Sequence, residues 1–204
     1  MAINTCSGHD VKRFLGAPMG KIFVFRHART TDNQAGIFCG WSNPDLTPDG
    51  VKEAESIREK LRHERVTRAY TSDQQRAIHT MEIALRDHSP VVEIVKDPRI
   101  RERDYGDLTG KSKKETEKQF PKEYPLWHRS YDVPPPGGES LKVVESRVNS
   151  FLDEILPKLR RDDVVLICAS ANSIRPIRRR LEHMSVQEMC SFEYERGHVY
   201  EYQV

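Results

Sequence analysis

The chain has 204 residues, 37% of them hydrophobic and 31% charged, enough for one domain with a sizeable core and too few for two large ones. Its 33 Lys and Arg against 31 Asp and Glu leave a formal charge of +2, so no global field draws it to nucleic acid or to a membrane surface. Cys6, Cys39, Cys168 and Cys190 contain no C-x-x-C pair, which argues against a disulfide framework or zinc site and for free thiols in a reducing compartment.

The opening MAINTCSGHDVKRFLGAPMG lacks the apolar core of a secretion signal, and no stretch approaches the roughly 20 apolar residues that span a bilayer. The expectation is a cytoplasmic protein with residues 1–20 as a flexible extension, or Met19 as an alternative start, before one catalytic domain at 21–204. Residues 22–25, IFVF, read as a strand buried on both faces, with Arg26 and His27 at its end, where an open α/β sheet presents groups to a ligand. Thr47 is placed to cap a helix that Pro48 opens and VKEAESIREKLR continues. A second strand is expected at 66–71, and a helix from Gln74 with Ile78, Met81 and Leu85 on one face. A third strand at 91–95 precedes a polar, irregular stretch, 98–139, ending in the Pro- and Gly-rich VPPPGGES, the profile of a lid or binding region.

A helix opening near Ser140 carries Leu141, Val144, Val148, Leu152, Ile155 and Leu159 as a core stripe. Strands follow at 164–169 and 198–203. Between them Arg175, Arg178, Arg179 and Arg180 accompany Ile174, Ile177 and Leu181, read as the solvated face of a helix, with little weight for nucleic acid. Strands alternating with helices predict a three-layer α/β sandwich, a mainly parallel sheet with helices on both faces.

Five polar islands follow strands or lie in the irregular region. They are FRHARTTDN, TSDQQRAIHT with Arg76, RERDYGDLTGKSK with Glu102, Tyr105 and Lys113, WHRSYD with His128 and Arg129, and ASANSIR with Asn172 and Arg175. Together they supply a histidine nucleophile, one carboxylate for proton transfer and several cationic or amide groups, a set suited to an anionic phosphoryl centre. Neutral imidazole attacks phosphorus, the arginine fork meets equatorial charge, so Arg26 and Arg76 are natural clamps, and Glu102 can protonate a leaving alkoxide. A surface salt bridge among Arg99, Arg101 and Arg103 is a close competing explanation for Glu102. No His/Asp/Glu cluster has metal-ligand spacing, and no metal is expected. His63, His79, His88, His183 and His198 read as structural or surface residues, Trp41 and Trp127 as packing or substrate contacts, and Cys39 as the exposed thiol.

These islands, with FCGWSNPDLTPDG, resemble in order and spacing the motifs of the 2,3-bisphosphoglycerate-dependent phosphoglycerate mutases of the histidine phosphatase superfamily, from about Lys21 to Met184. The resemblance implies that His27 is phosphorylated, that Arg26, Arg76 and Asn33 hold the phosphoryl group, and that Glu102 exchanges the proton. It implies that Cys39 and Gly40 line the substrate site, and that Tyr105, Lys113, His128, Arg129 and Asn172 contact a carboxylate or second phosphate. It also implies 2,3-bisphosphoglycerate as primer, a phosphoglycerate substrate, interconversion of 3- and 2-phosphoglycerate, and a place in glycolysis and gluconeogenesis. Monomer and homodimer both stay open.

Five positions depart from the family pattern. Ser170-Ala171 stands where the family has histidine-glycine after the VVLICA strand, and loss of one such preorganised donor typically costs about 10²–10³ in rate. Ala28 replaces a glycine, with strain expected if that position needs a positive φ. His128 replaces one of two arginines, and Cys39 a hydroxyl residue. Two alternatives to the mutase therefore stand: a phosphomonoesterase of the same superfamily, and an impaired pseudoenzyme that only binds a phosphorylated ligand. His183 or His198 reaching the space at 170 is a further open point.

Overall fold

A computed structural model describes residues 12–13, 20–90 and 92–204. The expected extension, apart from Lys12–Arg13 and Gly20, and Cys6 with it, lies outside the described residues. Six strands form one sheet: β1 (Lys12–Arg13), β2 (Gly20–Arg26), β3 (Arg68–Thr71), β4 (Ile94–Lys96), β5 (Asp163–Ala169) and β6 (Val199–Gln203), in the order β1-β6-β2-β5-β3-β4. β2, β5, β3 and β4 are mutually parallel, and β6 runs antiparallel to β2.

Alternation along β2 sends Ile22 and Val24 to one face and Phe23 and Phe25 to the other, and all four are buried. The first face packs against α6 (Leu141–Ile155) and α7 (Ala171–Glu182), through Val144, Val148, Phe151, Ile174 and Ile177. The second packs against α2 (Pro48–Leu61) and α3 (Gln75–Ala84), through Ile57, Leu61, Ala77 and Met81. The fold is a three-layer α/β sandwich. Among the described residues no helix is long and apolar enough to cross a membrane.

The helix starts follow their caps. Thr47 Oγ1 accepts from Gly50 N at 3.0 Å and Ser140 Oγ from Val143 N at 3.3 Å, at the positions the sequence indicated. The six-residue stripe of α6 and its extension to Leu159 is buried throughout. Stretch 98–139 is less irregular than its composition suggested. It holds α4 (Lys113–Gln119), capped by Ser112, and α5 (Tyr124–Arg129). Short helix formers between prolines and glycines support these brief turns, and periodicity cannot register elements of six or seven residues.

The arginine-rich helix departs from the solvated-face reading. Arg175 and Arg178 are buried in α7. The Arg178 guanidinium lies between the Phe192 and Tyr200 rings, 3.7 and 4.2 Å from their centroids, and pairs with Glu182 at 2.6 Å. Aromatic faces from neighbouring elements and a carboxylate one turn along α7 let this arginine pack as core.

Candidate active site

The carboxyl ends of β2, β5 and β3 deliver the candidate residues to one place. His27 follows β2, and its backbone N–H donates to Ala169 O at 3.0 Å, so it stands beside Ser170, which follows β5. Ser72 to Arg76 follow β3. His27 is buried, and its Nδ1 lies 2.8 Å from the Ala28 carbonyl oxygen. A carbonyl only accepts, so Nδ1 carries the proton and Nε2 keeps its lone pair. Burial, with the Arg76 and Arg26 charges, holds the His27 pKa well below its ordinary value, so the ring is neutral at pH 7.

Around it, donors stand without acceptors. Arg76 is fully buried, with Nη1 donating to Ser42 O at 2.7 Å and Nη2 to Gly40 O at 3.0 Å, while its Nε has no partner. Arg26 Nε and Ser170 Oγ are likewise buried and unpartnered. Ser170 is the N-cap of α7 yet makes no side-chain capping bond, leaving its hydroxyl uncommitted. Buried unpaired donors are costly, and these three lie near one imidazole.

Glu102 is buried, and its Oε1 accepts from Arg103 N at 2.7 Å. The competing salt-bridge explanation does not hold, because Arg101 pairs with Asp73 and Arg99 with Asp97 and Glu154. The Glu102 backbone is fixed from three sides. Gln74 Oε1 accepts its N–H at 2.9 Å, and its carbonyl accepts from Trp41 Nε1 at 2.9 Å and Arg147 Nη2 at 3.0 Å. Gln74 also donates to Gly40 O at 3.1 Å, joining the 39–42 loop to Glu102.

A second cluster lies beside the first. Asn172 Nδ2 donates to Tyr105 Oη at 3.0 Å, Tyr105 packs on Phe38 at 4.7 Å, and Lys113 Nζ lies 5.7 Å from the same Phe38 ring. His128 stacks on Tyr124 at 5.2 Å. Burial and the Arg129, Lys113, Arg103 and Arg175 charges push its pKa down to about 3, so it is neutral at pH 7. Lys113 is also pushed down, by burial and then by Arg26. Arg129 pairs with Glu193 at 2.8 Å at the rim. The Ala171 carbonyl accepts from Tyr194 Oη at 2.5 Å.

Other positions differ from expectation. Asn33 closes the capping box of α1 (Thr31–Ala35), its Oδ1 accepting from Thr30 N at 3.4 Å, so its carbonyl oxygen is already committed. Cys39 is buried, not exposed; burial raises its thiol pKa, and its Sγ lies 3.4 Å from Ser42 Oγ. Ala28 shows no strain, because His183 alone among described non-glycine residues has a left-handed φ, and the Ala28 N–H donates to Thr80 Oγ1 at 3.0 Å. His183 lies at the far end of α7 from Ser170, and His198 packs on Tyr200 at 4.4 Å. Neither is seen at position 170. Gln74, Arg103 and Arg147 hold Glu102 and were not singled out for it; only Gln74, two residues before Arg76 in TSDQQRA, carried a usable signal. The described residues hold no group of three His, Cys, Asp or Glu arranged for a metal.

A buried neutral imidazole thus stands at the carboxyl ends of the parallel strands of an α/β sandwich, with Arg26 Nε, Arg76 Nε and the Ser170 hydroxyl unpartnered near it. The sequence profile of the histidine phosphatase superfamily (branch 1) matches residues 22–204, and the chain belongs to that superfamily. It is 39% identical over 181 residues, 86% of this chain and 87% of the other, to the 2,3-bisphosphoglycerate-dependent phosphoglycerate mutase of Nitrobacter hamburgensis. Its fold is similar to Bacillus stearothermophilus YhfR, with TM-score 0.80, 23% identity and 89% and 90% of the two chains covered. It is also similar to the alpha-ribazole phosphatase from Shigella flexneri, with TM-score 0.77, 21% identity and 89% of each chain covered.

Proposed function

We propose that the chain is a phosphoglycerate mutase that interconverts 3- and 2-phosphoglycerate through phospho-His27. The observation that carries the reading is the His27 ring itself, held as the Nδ1–H tautomer by Ala28 and kept neutral by burial beside two arginines. Nε2 attacks phosphorus, while Arg26, Arg76 and the Ser170 hydroxyl meet the equatorial oxygens and Asn33 reaches them from α1. Glu102 gives the proton to the leaving alkoxide and takes it from the incoming hydroxyl. Gly40 and Cys39 form the wall that Arg76 braces, and Tyr105, Lys113, His128, Arg129 and Asn172, with the Ala171 backbone, hold the second anionic group.

The unpaired donors at His27 and the separate Lys113–Arg129 cluster fit the two phosphates of 2,3-bisphosphoglycerate, which supplies the phosphoryl group that primes His27. The chemistry needs no metal in this reading. The free thiols Cys39, Cys168 and Cys190 fit a reducing cytoplasm.

A second reading, a phosphomonoesterase, draws on the fold shared with a phosphatase and on the serine at 170. The two are separated by supplying 3-phosphoglycerate with primer and following 2-phosphoglycerate and inorganic phosphate together. The mutase reading expects isomer to exceed released phosphate and to require primer. Phosphate release without isomer, from the parent and from Ser170→His alike, would replace it with the esterase.

A further inference from the structure

Arg196, on the loop between α8 (Val186–Ser191) and β6, is part of none of the motifs discussed above. Its Nη1 lies 3.8 Å from Glu53 Oε1, a long contact to a carboxylate already occupied. The same Oε1 is 3.2 Å from Arg29 Nε, and Glu53 Oε2 accepts from Arg29 N at 2.9 Å. Arg29 is two residues past His27, so Arg196 is tied, through Glu53, to the loop that carries the imidazole. Arg26 stands close to the same place, with its buried Nε unpartnered. Arg29 and Arg196 thus share one carboxylate, and burial, then the nearby Arg26 charge, lower the Arg196 pKa against the opposing pull of Glu53.

The loop backbone is held more firmly than the side chain, whose ion pair with Glu53 is long. Lys60 Nζ donates to Gly197 O at 2.8 Å, and Gly197 takes a left-handed φ of 66°. The Arg196 side chain itself is 43% exposed, against 19% for Glu53. With Glu53 shared between Arg29 and Arg196 and with Arg26 close by, cations outnumber the carboxylate here, an imbalance that an added anion would offset. Through Glu53 and Arg29, Arg196 adjoins the loop that carries His27, and its charge also lowers the His27 pKa. That assigns it to the phosphoryl end of the site and not to the second anionic cluster.

We propose that Arg196 is a further phosphoryl-binding residue, reaching from the loop before β6 to the group carried on His27, opposite Arg26 and Arg76. The proposal rests on the reading of His27 as the phosphoryl acceptor. It adds a third arginine, from a third element, and makes the loop a contributor to transition-state charge stabilisation.

The test uses orthovanadate as a phosphoryl mimic, titrated against the full chain by calorimetry, with phosphorylation of His27 followed by mass in parallel. Arg196→Ala is expected to weaken vanadate binding about tenfold, the loss typical of one charge-assisted hydrogen bond, and to slow phosphorylation comparably. Arg196→Lys should recover part of both, since it restores charge without the fork. The KM for a phosphomonoester should move less than kcat, and the thermal midpoint should not move. Arg196→Ala matching the parent within twofold, in a parent that binds vanadate and is phosphorylated, would overturn the proposal and leave the function standing. A parent that neither binds vanadate nor is phosphorylated would overturn both.

Discussion

His27 shows how one hydrogen bond selects a chemistry. Because Ala28 O receives the Nδ1 proton, the lone pair falls on Nε2. Position 170 is where this chain differs most from its resemblance, and there a buried hydroxyl without a partner takes the place expected of an imidazole. A neutral hydroxyl meets developing negative charge less strongly than a ring that can carry a proton. Ser170→His is therefore expected to raise the rate of His27 phosphorylation by up to about 10²–10³, measured by quench-flow with intact mass. An unchanged rate would mean that Arg26 and Arg76 already supply the stabilisation. At this scale the sequence was legible where a residue type has few uses: a histidine at a strand end, an arginine after TSDQ. Cys39 was misplaced as exposed because burial depends on Ser42 and the 39–42 loop folding back, which no local pattern records.

Helix α2 sets the position of the loop that follows His27. Thr47 N donates to Arg29 O at 3.0 Å, and a Cβ on Gly50 would come within 2.1 Å of that same oxygen. Gly50 is needed for this approach and not for a special φ. Gly50→Ala is expected to lower stability by about 1–3 kcal/mol, the cost of overpacking, and to reduce activity, whereas Thr47→Ala should lose only the cap, about 1 kcal/mol. Denaturant titration beside a turnover assay separates the two. Helix α6 does the corresponding work for Glu102. Arg147 donates to the carbonyls of Arg99, Arg101 and Glu102 at 2.7, 2.9 and 3.0 Å and pairs with Glu139 at 2.9 Å. Arg147→Ala should lower kcat about tenfold, with a smaller change in KM, by loosening the carboxylate's backbone. A kcat loss that matches the loss of folded protein, with KM unchanged, would point to general destabilisation. The α6 stripe and both helix caps were readable from spacing, but Arg147 lies on the polar side of α6, where an anchoring arginine and a solvated one look alike. The short helices α4 and α5 escaped for a different reason, being too short, at seven and six residues, to show two full repeats of the helical period.

Across the whole molecule, the site concentrates positive charge that the rest of the surface does not, since the formal net charge is only +2. The parallel order and two-faced core were implied by strands alternating with helices, while the antiparallel β6 was not, because pairing direction leaves no mark in a five-residue strand. The concentrated charge has a pH signature. The folded-state pKa of His128 is about 3, below the ordinary 6.5, so as pH falls through 6.5 the unfolded chain binds a proton that the native chain refuses. This contribution is fully present above pH 6.5 and is lost progressively between 6.5 and 3. His128→Gln should therefore gain stability relative to the parent on going from pH 8 to pH 5; thermal midpoints at the two values give the comparison, and a constant offset would contradict it. The most direct test of the central claim is incubation with 2,3-bisphosphoglycerate followed by intact mass and acid treatment, with His27→Asn alongside. The account predicts one acid-labile phosphoryl group on the parent and none on the variant. A parent that stays unmodified, or an adduct that survives acid or persists in His27→Asn, would contradict it.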